Sequence, residues 1–444
     1  RRPGCPGSAS DRCSWHQSPG GGSGKPYVNP PPAAMPRIPV AWEITYAHGT
    51  MSEATLLDLT AIRAQFPALA NFVWFQNGGV SITPEPVARE HIRLMEELLA
   101  RGPLHVIYPE EEYPRRRQSM ETIAGFFDVH ADELALMRGV SEGFQTVLRG
   151  MDWQQGDRIV ISADEEAALL LPCLHLRDLF GVEVVKVPLM ASPQEAVAAT
   201  QAAIAGGRTR LLALSHVTTD LGYRFPVEAQ CAVARQAGVP SFLDLAHSCG
   251  VVPYKIRDLN CDYAGILSYK WMMSPYAAGA LWVRQEMLDS LRVTYAGGRG
   301  EKWLDFKADT YELHESAERF QFGPWSWPLV HSWAFACDWL TDFGTENIWR
   351  RVTDLTTRLK QGLAQIEGAE LFTPTPIGAS AGLVSFGLKD WRGEDLAAAL
   401  HEKWNIVIKP LPHSHEGLRA SLPFYLLEEE VDLLLTALGQ LARR

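Results

Sequence analysis

A lysine and an aspartate in the middle of the chain could serve one cofactor. Lys270 follows the apolar run Tyr263–Leu267, and Asp244 lies near the end of the preceding run, Ser241–Leu245. A lysine can hold pyridoxal phosphate as a Schiff base, and an aspartate can keep the pyridine nitrogen protonated so that the ring withdraws electrons. The pair therefore predicts pyridoxal phosphate as the cofactor, with Lys270 and Asp244 as the catalytic residues.

The composition is typical of a globular protein that acts on small molecules. The 444 residues are 46% hydrophobic and carry a formal net charge of −11. Nucleic acids and anionic membrane surfaces bind clustered positive charge, so the acidic balance argues against both as partners. The seven cysteines have no CxxC spacing, which favours reduced thiols over disulfides or a metal site and predicts a cytoplasmic protein.

Short apolar runs alternate with helical periods from Leu56 onward, and this alternation indicates the fold class. The candidate strands are Arg158–Ser162, Val182–Val187, Arg210–Ser215, Ser241–Leu245, Tyr263–Leu267 and Gly279–Val283, and the helices between them are Ala167–Phe180, Gln194–Ala205 and Val227–Ala237. Such a series predicts an α/β fold with a mostly parallel sheet and helices on both faces. Ligands bind at the carboxyl ends of such strands, where Asp244 and Lys270 fall.

The chain is predicted to have three parts. Residues 1–50 are rich in glycine and proline without an apolar period, which predicts a disordered tail. Residues 51–330 form the large cofactor-binding domain, in which the Trp-rich stretch Thr294–Trp327 is interpreted as loop. Residues 331–444 supply a linking helix, within the helical run Leu329–Ile366, and a smaller α+β domain.

Several motifs occur in the order found in one enzyme family. Arg138-Gly-Val-Ser-Glu-Gly-Phe-Gln145, Asp244-Leu-Ala-His247, Ser268-Tyr-Lys270 and Leu418-Arg-Ala-Ser421 resemble motifs of fold-type I pyridoxal-phosphate enzymes, in the class V aminotransferase and cysteine desulfurase group. The resemblance extends from about Asn71 to Leu441. It implies the fold-type I large domain with a small C-terminal domain, and a homodimer whose site is completed across the two-fold interface.

The resemblance implies further cofactor-binding residues besides Lys270 and Asp244. They are Val140, Ser141, Glu142, Thr219, His247, Ser268 and Tyr269. The first three begin a helix, where unpaired N–H groups and the helix dipole favour a phosphate. His247 is expected to hydrogen-bond the ring oxygen, and Thr219 replaces a family asparagine that contacts cofactor or substrate.

The resemblance also implies an amino-acid substrate. Arg419 is expected to bind the α-carboxylate through its planar fork. Asn77 and Gly78 belong to the segment that closes over the substrate, and His413, in the pair His413-x-His415, is a further candidate for substrate contact.

Three departures from the family pattern bear on the activity. Glu166 or Ala167 falls where the family has a histidine that stacks on the pyridine ring. Pro324 replaces a threonine that reaches the neighbouring subunit's phosphate, and Ser326 is a possible substitute. The loop Ile408–His415 contains no cysteine, whereas a desulfurase takes sulfur onto a loop cysteine as a persulfide.

The segment Ser268-Tyr-Lys-Trp271 and Arg419 resemble those of desulfurase and kynureninase-like members. This resemblance implies a lyase that acts at the β-position of an α-amino acid, such as a C–S lyase. An aminotransferase is the first alternative and an amino-acid epimerase the second. A dinucleotide oxidoreductase would need a G-x-G-x-x-G motif that the chain lacks. A non-catalytic relative would be expected to lose Lys270 or Asp244.

Overall fold

The computed structural model describes residues 57–411 and 415–443. The predicted tail at residues 1–50 and the candidate His413 lie outside these residues. No helix within the described ranges is long and apolar enough to cross a membrane.

The elements follow one another along the chain as an N-terminal helical region, an alternating region and a C-terminal α+β region. The helices are α1 Leu59–Ala64, α2 Glu85–Arg101, α3 Leu104–Ile107, α4 Pro109–Phe126, α5 Val140–Gly150, α6 Ala167–Phe180, α7 Pro193–Ala205, α8 Val227–Gln236, α9 Trp327–Thr341, α10 Thr345–Leu363, α11 Gly393–Trp404 and α12 Glu428–Leu441. The strands are β1 Val73–Phe75, β2 Leu134–Met137, β3 Arg158–Ser162, β4 Glu183–Val187, β5 Thr209–Ser215, β6 Ser241–Asp244, β7 Tyr263–Leu267, β8 Gly279–Val283, β9 Glu301–Asp305, β10 Thr310–Leu313, β11 Ala369–Leu371, β12 Leu383–Leu388, β13 Ile406–Pro410 and β14 Leu418–Ser421.

The large sheet has the strand order β2-β8-β7-β6-β5-β3-β4. Strands β4, β3, β5, β6 and β7 pair in parallel, and β8 runs antiparallel to both β7 and β2. Strands that are buried on both faces require apolar side chains at successive positions, which explains their continuous apolar runs. The prediction of a mostly parallel α/β sheet is therefore confirmed.

Helices cover both faces of this sheet. Along β3, Ile159 and Ile161 pack in one hydrophobic cluster with α5 and α6, whereas Val160 packs in a second cluster with α7, α8 and α9. Successive side chains of a strand point to opposite faces, so the two clusters are the two halves of the core. The sheet is thus held from both sides, and its carboxyl edge is rigidly positioned.

A second sheet, β1-β13-β14-β12-β11, packs against α10, α11 and α12 through a third hydrophobic cluster. Its strand β1 comes from the N-terminal part of the chain and pairs in parallel with β13. Strands β13 and β14 place Lys409 opposite Arg419. The domain division at residue 330 remains a prediction.

Two sequence interpretations differ from the structure. The stretch Thr294–Trp327, interpreted as loop, contains an antiparallel hairpin of β9 and β10. The run Leu329–Ile366 is two helices rather than one, because Gly344 adopts a φ of 77° between α9 and α10. Only glycine adopts that backbone conformation readily.

Candidate active site

A cavity of about 970 Å³ opens at the carboxyl ends of β5, β6 and β7. This edge of a parallel sheet is where ligands bind in open α/β folds. Its walls include Arg138, Val140, Ser141, Glu142, Glu166, Ser215, Asp244, His247, Tyr269, Lys270, Tyr295 and Phe322. Most of the residues predicted to bind the cofactor are therefore brought together in one place.

Lys270 follows β7, and its amine faces the side chain of His247. The distance from Lys270 Nζ to His247 Nε2 is 3.2 Å. Burial lowers the pKa of Lys270 to about 8, although the negative charge of Asp244 opposes the shift. The amine therefore loses its proton more readily than an exposed lysine does, which suits it to act as a nucleophile or base.

Asp244 ends β6 and presents its carboxylate to the same cavity. Its Oδ1 accepts a hydrogen bond from the Ala246 backbone N–H at 2.8 Å, and Oδ2 has no hydrogen-bond partner in the described part of the chain. Burial raises the pKa of Asp244 to about 6. A buried carboxylate with one free oxygen can accept a hydrogen bond from a protonated ring nitrogen.

Glu165, which the sequence analysis did not single out, fixes the strand end beside Asp244. It accepts hydrogen bonds from the Ser215 backbone N–H at 3.0 Å and from the Ser215 hydroxyl at 2.6 Å. Ser215 is the register partner of Asp244 on the adjacent strand. Burial raises the pKa of Glu165 to about 7, and the charge of Asp244 adds to the effect.

The hydrogen bonds around His247 determine its tautomer. The Trp271 indole N–H donates to His247 Nδ1 at 3.5 Å, so the imidazole proton is assigned to Nε2. Burial holds the pKa of His247 well below its usual range, so the ring is neutral. Its Nε2–H lies 3.3 Å from the Thr219 hydroxyl and beside Lys270.

The start of α5 lines the cavity and is suited to bind an anion. Gly139 precedes the helix with a φ of 155°, and Val140, Ser141 and Glu142 line the cavity. The first N–H groups of a helix have no partner within it and favour an anion. The Glu142 carboxylate accepts from the Arg138 backbone N–H at 2.7 Å and pairs with the Arg138 guanidinium at 3.1 Å, so its charge is balanced.

Ser268 and Tyr269, both predicted to bind the cofactor, differ in position. The buried Ser268 hydroxyl donates to the Pro275 carbonyl at 3.1 Å and is not among the residues that line the cavity. Tyr269 lines the cavity, and its ring stacks on Tyr276 with 5.0 Å between centroids. The Tyr269 hydroxyl is therefore the better placed donor of the two.

Arg419 lies on β14 with only 1% of its surface exposed. Its Nη1 donates to the Thr219 carbonyl at 2.7 Å and to the Thr219 hydroxyl at 3.0 Å. Its Nε and Nη2 are buried without a hydrogen-bond partner among the described residues. Unpaired donors on a buried guanidinium are costly, and a carboxylate would satisfy both at once.

Asn77 and Gly78 pack against the reactive residues but are not among the residues that line the cavity. The Asn77 amide donates to the Lys270 carbonyl at 3.3 Å, and Asn77 Oδ1 accepts from the Tyr425 hydroxyl at 3.4 Å. A Cβ on Gly78 would lie 3.4 Å from a His247 ring carbon and 2.8 Å from the Ser421 hydroxyl. Asn77 therefore helps to hold the Lys270 backbone in place, and the absence of a side chain at Gly78 lets the chain pass close to His247 and Ser421.

The residues present fit pyridoxal phosphate. The helix start at Val140 suits the phosphate, the free oxygen of Asp244 suits the pyridinium nitrogen, and the Lys270 amine can hold the aldehyde. These contacts lie on the walls of a single cavity. The assignment of individual residues remains a prediction.

Residues 73–434 match the family described as aminotransferase class V. The chain belongs to the class V aminotransferase family. A cysteine desulfurase from Pectobacterium atrosepticum is similar to this class V protein, with 28% identity over 73% of the chain and 81% of the relative. The chain is a pyridoxal-phosphate-dependent enzyme, as predicted.

Solved structures of the class V type share the fold. An apo cysteine desulfurase from Thermococcus onnurineus NA1 has a TM-score of 0.79 at 23% identity and covers 88% of this chain and 100% of its own. A cystine C–S lyase in complex with its product, cysteine persulfide, has a TM-score of 0.78 at 26% identity and covers 84% of this chain and 99% of its own.

Two further features of this class V site were not predicted, an aromatic pair that lines the cavity and a hydrogen bond between Thr219 and Glu166. Tyr295 and Phe322, which stack with 5.5 Å between centroids, line the cavity of their own chain. The Thr219 hydroxyl donates to Glu166 Oε2 at 2.9 Å. Thr219 and Glu166 each depart from the family pattern. They are 53 positions apart in the chain, so their contact could not be predicted from the sequence.

Proposed function

We propose that this class V enzyme is a C–S lyase that removes a sulfur substituent from the β-carbon of an α-amino acid. The observation that supports an amino-acid substrate is the state of the Arg419 guanidinium. Its Nε and Nη2 are buried without hydrogen-bond partners among the described residues, while its Nη1 donates to Thr219. A planar fork of this kind matches a carboxylate. Bound there, an α-carboxylate would bring its Cα toward Lys270.

Lys270 and Asp244 have separate roles in the proposed reaction. Pyridoxal phosphate, when bound, supplies an electron-withdrawing ring that stabilises negative charge at Cα. Lys270 accepts the α-proton, for which its lowered pKa of about 8 suits it. Asp244 keeps the ring nitrogen protonated, and the Cβ–S bond then breaks with the electron pair leaving on sulfur.

The positions of the cysteines favour a lyase over a desulfurase that transfers sulfur to its own thiol. The buried cysteines of the described residues are Cys173, Cys231, Cys249, Cys261 and Cys337. Burial raises the pKa of each thiol, and within the described part of the chain none lines the cavity. The likeness to a cystine C–S lyase supports the same choice.

Product analysis tests the reaction type. Purified enzyme supplied with cofactor is incubated with a panel of sulfur-containing L-amino acids, with and without a 2-oxo acid. We expect pyruvate, ammonia and a sulfur product without any 2-oxo acid. Turnover that requires the 2-oxo acid would indicate an aminotransferase, and racemised substrate without cleavage would indicate an epimerase.

We also propose that the enzyme is a homodimer. Aromatic side chains on the β9–β10 hairpin are exposed, with Phe306 at 85% and Tyr311 at 62%, and Leu99 at the end of α2 is 87% exposed. Exposed apolar groups of this size mark interaction surfaces in soluble proteins. Light scattering is expected to give twice the chain mass of 49.3 kDa; a fully active species of single-chain mass would contradict the proposal.

A further inference from the structure

The Glu166 carboxylate, which lines the cavity, and the Arg419 guanidinium meet at the hydroxyl of Thr219; Thr219 and Arg419 are not themselves among the residues that line the cavity. Thr219 Oγ1 donates to Glu166 Oε2 at 2.9 Å and accepts from Arg419 Nη1 at 3.0 Å. We infer that Glu166 binds the α-ammonium group of the incoming amino acid while Arg419 binds its carboxylate, with Thr219 holding the two side chains in position. The inference rests on the proposed amino-acid substrate.

Glu166 is available for a cationic ligand. It lines the cavity and is only partly buried, and its Oε1 has no hydrogen-bond partner among the residues the structure describes. Since Oε2 is fixed by Thr219, the free oxygen belongs to a side chain whose direction is already set. A ligand cation would therefore meet an oriented acceptor rather than a mobile one.

The charges around Glu166 keep it ionised. Burial alone would raise its pKa, but the positive charge of Lys270 and the hydrogen bond from Thr219 oppose burial. Lys409 and Arg419 add to the opposition, and the pKa of Glu166 is lowered overall. Without Glu166, an ammonium group that enters the cavity of the holoenzyme would meet the positive charges of Lys409 and Arg419 without this neighbouring carboxylate, and Coulomb repulsion would weaken its binding.

The short distance between the side chains of Arg419 and Glu166 favours an α-ammonium group over an ammonium group at the end of a long side chain. Arg419 Nη1 and Glu166 Oε2 contact the same hydroxyl oxygen, so two hydrogen bonds join the guanidinium to the carboxylate, and the free atoms of each group lie on side chains held close together. An α-amino acid carries its carboxylate and its ammonium group on one carbon and can span that short distance. An ammonium at the end of a long side chain is several bonds from the carboxylate, so the geometry favours the α-ammonium group.

Two amines that both carry a carboxylate, L-alanine and aminooxyacetate, distinguish binding of the ammonium group by Glu166 from a purely structural role of this residue. L-Alanine enters as an ammonium ion, whereas the amine of aminooxyacetate is uncharged at neutral pH. Each is mixed with holoenzyme, and the second-order rate is measured from the change in cofactor absorbance. In Glu166→Gln, which keeps the size of the side chain, we expect the L-alanine rate to fall about 10- to 100-fold, the scale of a lost charged hydrogen bond, and the aminooxyacetate rate to be unchanged.

Four further variants test the roles of Arg419 and Thr219 and provide a control. Arg419→Lys keeps the charge but loses the planar fork, so both probes should slow. Thr219→Val removes the shared hydroxyl and should slow L-alanine, whereas Thr219→Ser restores the hydroxyl and the rate. Asp178→Asn removes one negative charge near the other end of α6, at an exposed surface pair with Arg177, and should leave both rates unchanged.

Each result with Glu166→Gln and with the unsubstituted holoenzyme has a different meaning. Equal slowing of both probes in Glu166→Gln would mean that Glu166 only supports the fold of the site, and no slowing of either would mean that it does not contact the amine; each result overturns the inference. Failure of both probes to react with the unsubstituted holoenzyme would contradict the proposed function itself, and with it the inference.

Discussion

Lys270→Ala is expected to abolish turnover and to eliminate the cofactor adduct that borohydride fixes to the chain. The Lys270 amine is both the group that can hold the cofactor aldehyde and the candidate base for the α-proton, and it lies 3.2 Å from the neutral His247 ring. Loss of a positioned general base alone lowers rates by about 10²–10⁴. Mass spectrometry of the reduced, digested holoenzyme measures the adduct, and product release measures turnover.

Lys360 provides a matched control for this experiment. Burial lowers its pKa to about 8 as well, but its amine donates to the Pro374 carbonyl at 2.7 Å and to the Ser380 hydroxyl at 2.6 Å and is not among the groups lining the cavity. Lys360→Met should therefore retain the adduct at Lys270. An adduct on Lys360, or on any residue other than Lys270, would contradict the assignment of Lys270 as the lysine that holds the cofactor.

Much of the large sheet could be predicted because its signals are local. Helix α6 begins and ends as predicted, at Ala167 and Phe180, since Gly181 takes a left-handed conformation with a φ of 67° that ends the helix. Strands β3, β7 and β8 likewise match, because continuous apolar runs of this length are typical of strands buried on both faces. The positions of Asp244 and Lys270 at the carboxyl edge follow from these bounds.

The parts that sequence did not predict depend on contacts between distant segments or lack an apolar pattern. Strand β9 is almost wholly exposed, so no alternation of buried and exposed residues distinguishes it from a loop. Strand β1 joins the second sheet by pairing with β13, more than three hundred residues later. The Thr219–Glu166 contact also joins distant segments. Both residues depart from the family pattern, and they form a hydrogen bond because the segments that follow the paired strands β3 and β5 come together.

Asp244→Ala is expected to leave the cofactor bound but nearly inert. Binding should persist because the phosphate end at α5 and the Lys270 amine are untouched, whereas the ring loses the carboxylate that keeps its nitrogen protonated. Removing one preorganised electrostatic group costs about 10²–10³ in turnover, and we expect a loss of at least this size. Cofactor content is measured by absorbance after gel filtration, and turnover by product release.

Asp244→Asn distinguishes charge from shape. The amide keeps the size of the side chain, and its oxygen can still accept the Ala246 N–H that Asp244 Oδ1 accepts at 2.8 Å, but it carries no charge to hold a pyridinium proton. If the charge is what matters, Asp244→Asn should be as inactive as Asp244→Ala while the fold remains intact. Near-normal turnover in Asp244→Asn would instead assign Asp244 a structural role, in which its hydrogen bond to Ala246 fixes the turn that carries His247 toward Lys270.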